Sequence, residues 1–409
     1  MSKSFLPSLV AAVTLACGGF VATQAVAQAP TPKVTPALAK TFKAAQEAQA
    51  AKRWPEVIAK ANEVLAAGNR KPDDTYYANY LLFEAARATN DIPAVMKALQ
   101  GQIDSGFLPE GEQSKLIKAL MALAYQQRDY GAAIDYGTRL TKGGSADSEV
   151  FTTIGQSYFQ QGKYADAARF FNSLVTDTEK RGGTPREQHL QLLQAAYAKA
   201  GNAEAAQAAL EKLVMHYPTE KTWSILLFDV KKDSKDPRQR LHVFRLQQAT
   251  GNLKLGADYS AYSEVATAVG LPAEAYNVLD AALKANVFTV DTDKARAERY
   301  LTSSKNRADA DKAQIAKRAA EAKAAAAGDL DVALGMSLFS QGDYTGSVEA
   351  LNRGIAKGNL RNAADAQLTL GVAQLKANQK ADALKTFKGI QTEDPTTQRI
   401  VKLWTLYAS

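Results

Sequence analysis

Proton transfer and metal ligation near neutral pH fall first to histidine, and this sequence has three, His189, His216 and His242. None stands at ligand spacing from another histidine, a cysteine or a carboxylate. A metal site needs several donors in such clusters, so none is written locally. The one cysteine, Cys17, lies close to the start of the chain. No Gly-x-Ser-x-Gly elbow and no His-Glu-x-x-His helix is present. Gly155 and the Gly162-Lys163 pair look like pieces of a phosphate loop, but the spacing is too long and spans two helical segments. The acidic pairs Asp73-Asp74 and Glu110/Glu112 sit between helical segments, where capping and solubility are their ordinary work. The reading is therefore of a chain that is not an enzyme, with no catalytic residues, no cofactor and no metal.

What the sequence does repeat is a way of packing helices. From Ser148, the residues Phe151, Ile154, Gly155 and Tyr158 form an apolar and small stripe at helical spacing, Gly162 follows at a turn, and Tyr164, Ala167, Phe171 and Leu174 form a second stripe. From Glu187 the same slots hold Leu190, Leu193, Gln194 and Tyr197, then Gly201, then Ala206, Leu210 and Leu213, closed by Pro218. Small residues let two antiparallel helices approach, and large ones fill the space between one hairpin and the next. Glycine at the turn permits a left-handed cap, and proline ends the second helix.

Fainter copies flank this stretch. Leu38 and Trp54, Tyr76 and Ile92, and Ser114 and Tyr130 mark earlier hairpins. After Pro218 the pattern loosens around Trp223–Val230 and Leu241–Leu246, and it returns from Gly256. Residues 308–327 are alanine-rich and charged, predicting a helix that packs only along Ile315 and a few alanines. Leu334, Gly335, Gly342, Tyr344 and Leu351 make another clear copy; Leu370, Gly371, Ala383, Phe387 and Pro395 make the last, before an amphipathic helix at 397–407. The boundaries read as a leader at 1–27, a proline-rich linker at 28–36, repeats at 37–284, an irregular segment at 285–327, and repeats with a capping helix at 328–409.

A period of about 34 residues with this order of small and large slots resembles the tetratricopeptide (TPR) repeat, carried best by Gly155, Tyr158, Gly162, Tyr164, Ala167 and Phe171. The resemblance implies an all-α solenoid of helical hairpins, a right-handed superhelix whose first helices line a concave groove and whose last helix caps the end. By family analogy the groove positions are Tyr77, Tyr80, Glu84 and Arg87; Thr152, Gln156, Phe159 and Gln160; Gln188, Gln191 and Lys199; and Met336 and Phe339. Aromatic and arginine side chains on a polar wall suit a protein-binding hot spot. The competing reading is that Tyr80 or Phe159 packs on a neighbouring helix.

The first 27 residues carry Lys3, an apolar run from Leu9 to Val21 and an Ala25-Val26-Ala27 cleavage site, the plan of a secretory leader. A retained anchor or lipid attachment at Cys17 is the lesser reading. Cleavage would leave a periplasmic chain without thiols. The formal net charge is +8, but Lys and Arg are interspersed with Asp and Glu, which argues against nucleic acid as partner and leaves any membrane contact indirect. Residues 351–362 and 366–373, with Tyr217-Pro-Thr-Glu-Lys-Thr-Trp, are similar to periplasmic TPR proteins that accompany TonB–ExbB–ExbD systems, loosely over 185–407. That similarity implies an envelope protein or peptide as partner in TonB-dependent uptake. The alternatives are a docking subunit or enzyme for cell-wall or exported polysaccharide, motivated by residues 288–327, and an outer-membrane assembly factor.

Overall fold

The computed structural model describes residues 31–409; the leader and Cys17 lie outside the described residues. Those residues fold into α-helices with no strand among them. The helices fall into two compact units, one of residues up to 181 among those described, with 195–202, and one of residues 182–194 with 203–409.

The first unit holds α1 (Ala39–Ala50), α2 (Trp54–Ala66), α3 (Pro72–Ala88), α4 (Ile92–Asp104), α5 (Glu110–Gln126), α6 (Tyr130–Lys142), α7 (Ser148–Gln160) and α8 (Tyr164–Lys180), and the boundary between units falls within α9 (Glu187–Lys199). Consecutive helices pair as hairpins. First helices of neighbouring hairpins also approach one another, α1 with α3 and α5 with α7, whereas second helices show no comparable approach. A stack whose first helices are the closer set bends toward them, so within this unit they form the inner wall.

The hairpin slots behave as their residue types require. A Cβ on Gly155 would lie 2.2 Å from Phe171 Cζ, on Gly335 2.6 Å from Leu351 Cγ, and on Gly371 2.3 Å from Phe387 Cε1. Three repeats thus seat a large side chain from the second helix on a glycine of the first. At the turns, Gly162, Gly201 and Gly342 take φ of 73°, 77° and 86°, and Lys52, Asn90, Arg128 and Asn378 take the same left-handed slot at φ of 57°, 56°, 62° and 61°. Residues 33–35 are not a free linker: Lys33 N donates to Asp73, and Thr35 N and Oγ1 donate to Asp74, the latter contacts at 2.8 and 2.5 Å. Burial pushes the Asp74 carboxyl up, but the hydrogen bonds from Thr35 and Lys71 outweigh it and hold it below its ordinary value.

The second unit continues with α10 (Ala203–His216), α11 (Glu220–Asp233), α12 (Pro237–Ala249), α13 (Gly256–Ala268), α14 (Pro272–Lys284), α15 (Asp291–Ala313), α16 (Ile315–Ala324), α17 (Asp329–Ser340), α18 (Tyr344–Lys357), α19 (Ala363–Lys376), α20 (Lys380–Gly389) and α21 (Pro395–Ala408). It closes on itself. Every residue from Leu241 to Gln247 on α12 is buried, as is every residue from Leu368 to Gln374 on α19. The last helix, α21, does not merely cover the end of the array, as expected of a cap. It packs on α10, α11, α12 and α19 as well as on its neighbour α20. Trp404 stacks on Phe387 at 5.9 Å, Tyr407 meets Trp223 at 6.1 Å, Arg399 faces Asp229 and Asp233 at 3.6 Å, and Lys402 pairs with Glu211 at 2.6 Å. The alanine-rich stretch is helical, with Ile315, Ala319 and Ala322 packed against Leu334, Leu338 and Ala350. Polar ties supplement this thin contact: Asp311 bonds Ser337 and Arg318, and Lys357 Nζ donates to Ala322 O at 2.7 Å.

Candidate functional site

The inner wall of the first unit carries an aromatic run. Tyr77 on α3 lies 5.1 Å from Phe42 on α1 and stacks on Tyr80 one turn along, with ring centroids 6.0 Å apart and planes within 8°. Gln46 Nε2 donates to the Tyr77 hydroxyl at 2.7 Å. One turn further, Arg87 Nη2 bonds Glu84 Oε2 at 2.9 Å. These four α3 side chains are half-buried: braced from below and open on one side. An aromatic braced this way loses little rotamer freedom when a partner covers it, which is what makes such residues effective anchors.

On α7 the expected wall positions divide. Gln156 is half-buried and Gln160 is exposed, hydrogen-bonded to Tyr125 on α5. Phe159 is half-buried, edge-on to Tyr164 at 5.0 Å and packed near Ala167, Ala168 and Ala196, so part of it serves the hairpin itself. Thr152 is not on the wall: it is buried, and its hydroxyl donates back to Ser148 O at 2.7 Å. On α9, Gln188, Gln191 and Lys199 are exposed, with Gln191 Nε2 held by Glu187 at 2.8 Å. Met336 and Phe339 are not on an open wall either. Met336 packs on the core cluster around Tyr262 and Val265, and the buried Phe339 ring lies 4.3 Å below the Arg245 guanidinium. The closure of the second unit by α12 and α21 is the reason.

That closure also builds two buried polar sets. Arg245 donates through Nε and Nη2 to both oxygens of Glu274, at 2.8 and 2.7 Å, and the Tyr262 hydroxyl donates to the same carboxylate at 2.7 Å. Burial opposes charge on both partners, but their mutual attraction prevails. It lowers Glu274 and raises Arg245, while burial beside Glu274 drives the Tyr262 hydroxyl well up. The second set is His242, whose Nε2 lies 2.9 Å from Asp365 with Arg238 at 3.5 Å. Burial raises the Asp365 carboxyl, but His242, Arg245 and Arg238 together hold it below its usual range. No local spacing announces this pair, since 123 residues separate its members. Sequence reasoning also missed the exposed apolar side chains Met215, Ile225 and Phe228 on α10 and α11. Among the described residues no group of His, Cys, Asp and Glu could hold a metal ion, and no helix is long and apolar enough to cross a membrane.

The tetratricopeptide repeat family model matches residues 122–183 and 332–396. No curated protein matches the sequence. Among solved structures, a tetratricopeptide repeat protein from Parabacteroides merdae is similar at 13% identity and a TM-score of 0.28, covering 81% of this chain and 98% of that one. The TPR2AB-domain:pHSP90 complex of yeast Sti1 is similar at 14% identity and a TM-score of 0.26, covering 73% and 100%. The two matched stretches take in the Gly155–Phe171 and Gly335–Leu351 seats, so the sequence match to tetratricopeptide repeats, a type of repeat used as a protein-interaction scaffold, falls on hairpins of an all-α repeat architecture.

Proposed function

We propose that this protein is a non-enzymatic scaffold of the bacterial periplasm that holds an envelope protein or peptide against the inner wall of its first unit, as an accessory of TonB-dependent uptake. The observation that carries the docking part is the braced, half-buried run of Tyr77 and Tyr80 with the Glu84–Arg87 pair beside it. It joins rigid aromatic area to a charge pair that can fix the partner's register. The compartment rests on the leader pattern at 1–27, and the uptake role on the similarity of residues 351–373 to TonB-associated repeat proteins.

The test is genetic and biochemical together. A deletion strain should grow poorly on a nutrient that enters through a TonB-dependent receptor, and the wild-type chain should restore growth. Tyr77→Ala/Tyr80→Ala, exported and folded, should not. Full complementation by the double variant removes the wall; normal growth of the deletion strain on every such nutrient removes the uptake role.

A further inference from the structure

Helix α11 buries Trp223, Leu226, Leu227 and Val230 on one face, as an amphipathic helix should. Its other face is not uniformly polar. Phe228 is 70% exposed and Ile225 49%, one turn apart, and the exposed Lys221 and Lys232 stand one turn before and one turn after them. At helical pitch these four side chains, at i, i+4, i+7 and i+11, fall within an arc of about 60° and span roughly 16 Å of helix. The other charges of α11 have partners: Glu220 pairs with Lys254, Lys231 with Asp258 at 2.6 Å, and Asp229 and Asp233 both face Arg399 at 3.6 Å. Among the described residues, Lys221 and Lys232 alone of the α11 charges have none. Lys221 also lies in the first turn, where the helix dipole disfavours a cation, so helix stability does not account for it. Lys235, whose Nζ donates to Lys232 O at 2.9 Å, adds a further positive charge beyond the other end.

An exposed apolar pair bracketed by unpaired cations is one half of an interface whose other half is apolar and acidic. We propose that this face of α11 docks an amphipathic helix of another protein, one that carries carboxylates about eleven residues apart on either side of an apolar pair. Ile225 and Phe228 cover the apolar pair, and Lys221 and Lys232 take the carboxylates. The same geometry argues against two other occupants. In a second copy of this chain, related by a two-fold axis between Ile225 and Phe228, Lys221 would meet Lys232 of the second copy, and like charges repel. An anionic membrane is broad, and it would also meet Asp229 and Asp233 on the adjoining edge of α11, which a single partner helix need not touch. The face belongs to the second unit, so it acts independently of the aromatic wall of the first.

The test titrates the full chain against fluorescent alanine- and glutamine-based helical peptides of about 18 residues, long enough to hold a helix in water. Each carries Glu-x-x-x-apolar-x-x-apolar-x-x-x-Glu, with Leu-Leu, Phe-Leu or Ile-Val as the apolar pair, and a matched set has Lys in place of Glu. At least one Glu peptide should bind saturably by fluorescence anisotropy, about tenfold or more tighter than its Lys counterpart. Phe228→Ala should weaken that binding about tenfold. Lys221→Glu/Lys232→Glu should reverse the preference, so that the Lys peptide binds better. All three positions are exposed, so the thermal midpoint should not move, and Tyr77→Ala/Tyr80→Ala should leave this binding unchanged. The proposal is overturned by no saturable binding of any Glu peptide, by equal binding of the Glu and Lys sets, or by binding indifferent to Phe228→Ala. Capture of the chain by phosphatidylglycerol vesicles with no peptide bound would assign the face to lipid instead. A dimer in sedimentation that Phe228→Ala dissolves would assign it to a second copy, and either result overturns the proposal.

Discussion

Replacing Gly155 by alanine should destabilise the first unit, although alanine is by far the better helix former. The alanine Cβ would sit 2.2, 2.5 and 2.7 Å from three atoms of the Phe171 ring, more than 1 Å inside ordinary contact. Phe171 has no exposed surface to retreat into and is edge-packed by Phe170 at 5.8 Å. Overpacking of this kind costs about 1–3 kcal/mol, and so close an overlap belongs at the upper end. The gain from removing a helical glycine is about 0.5–1 kcal/mol, so the net loss is about 2 kcal/mol. Gly111 on α5 provides the opposite case: nothing lies within 4 Å of its Cβ position, so the same substitution there should be neutral or stabilising. The two units need not unfold together, so the suitable assay is hydrogen exchange read by mass spectrometry over residues 150–175. Gly155→Ala should speed exchange there by about 30-fold, Gly111→Ala should not, and Phe171→Leu in the Gly155→Ala background should restore part of the protection. If Gly155→Ala protects the segment as Gly111→Ala does, the seat of a large side chain on glycine is not what joins these hairpins.

Other consequences follow from the same geometry. Arg128→Gly should stabilise the α5–α6 hairpin by about 0.5–1 kcal/mol, because a side chain at its φ of 62° is strained and glycine is not, measured by exchange of residues 122–134. Arg245→Met should cost the second unit about 3–5 kcal/mol by stranding Glu274, while leaving exchange in α1–α6 unchanged. Glu274 and Asp365 are both more acidic folded than their ordinary 4.5 and 3.8. The folded state therefore binds fewer protons than the unfolded one in the acid range. Their contribution is complete above the unfolded values and is lost as pH falls through the folded ones. Thermal melts from neutral pH down to pH about 3 should show the second unit losing stability below about pH 4.5, and the acid limb should flatten in Asp365→Asn. Trp404→Ala should loosen α10–α12 and α19 at a cost of about 3–5 kcal/mol, visible as faster exchange in helices more than 150 residues away in sequence.

The hairpins were legible where glycine itself marks the turn, as at Gly162, Gly201 and Gly342. They were faint where Lys52, Asn90, Arg128 or Asn378 takes the same left-handed backbone, since those residue types do not advertise it. The α11–α12 hairpin was fainter still, and there the chain passes through Ser234 in an extended conformation instead. The closure of the second unit was not legible at all. α12 reads Pro-Arg-Gln-Arg-Leu-His-Val-Phe-Arg-Leu-Gln-Gln-Ala, a half-polar helix with nothing to say that both faces are covered. Its burial depends on Asp365 and Glu274 reaching it from α19 and α14, and such long-range charge compensation leaves no periodic trace. That is why Phe339, assigned to an open groove by its slot, is instead covered by Arg245. Tyr77 and Tyr80 stack on one face of α3, which helical spacing alone requires.

Site-specific photocrosslinking in living cells tests the docking wall most directly. A photoreactive residue at Tyr80 should give one dominant adduct with an envelope protein. The same residue at Lys97, exposed on the second helix of that hairpin, should not give that adduct. Adducts of equal yield and identity from both positions, or from Lys97 alone, would contradict the assignment of binding to the inner wall.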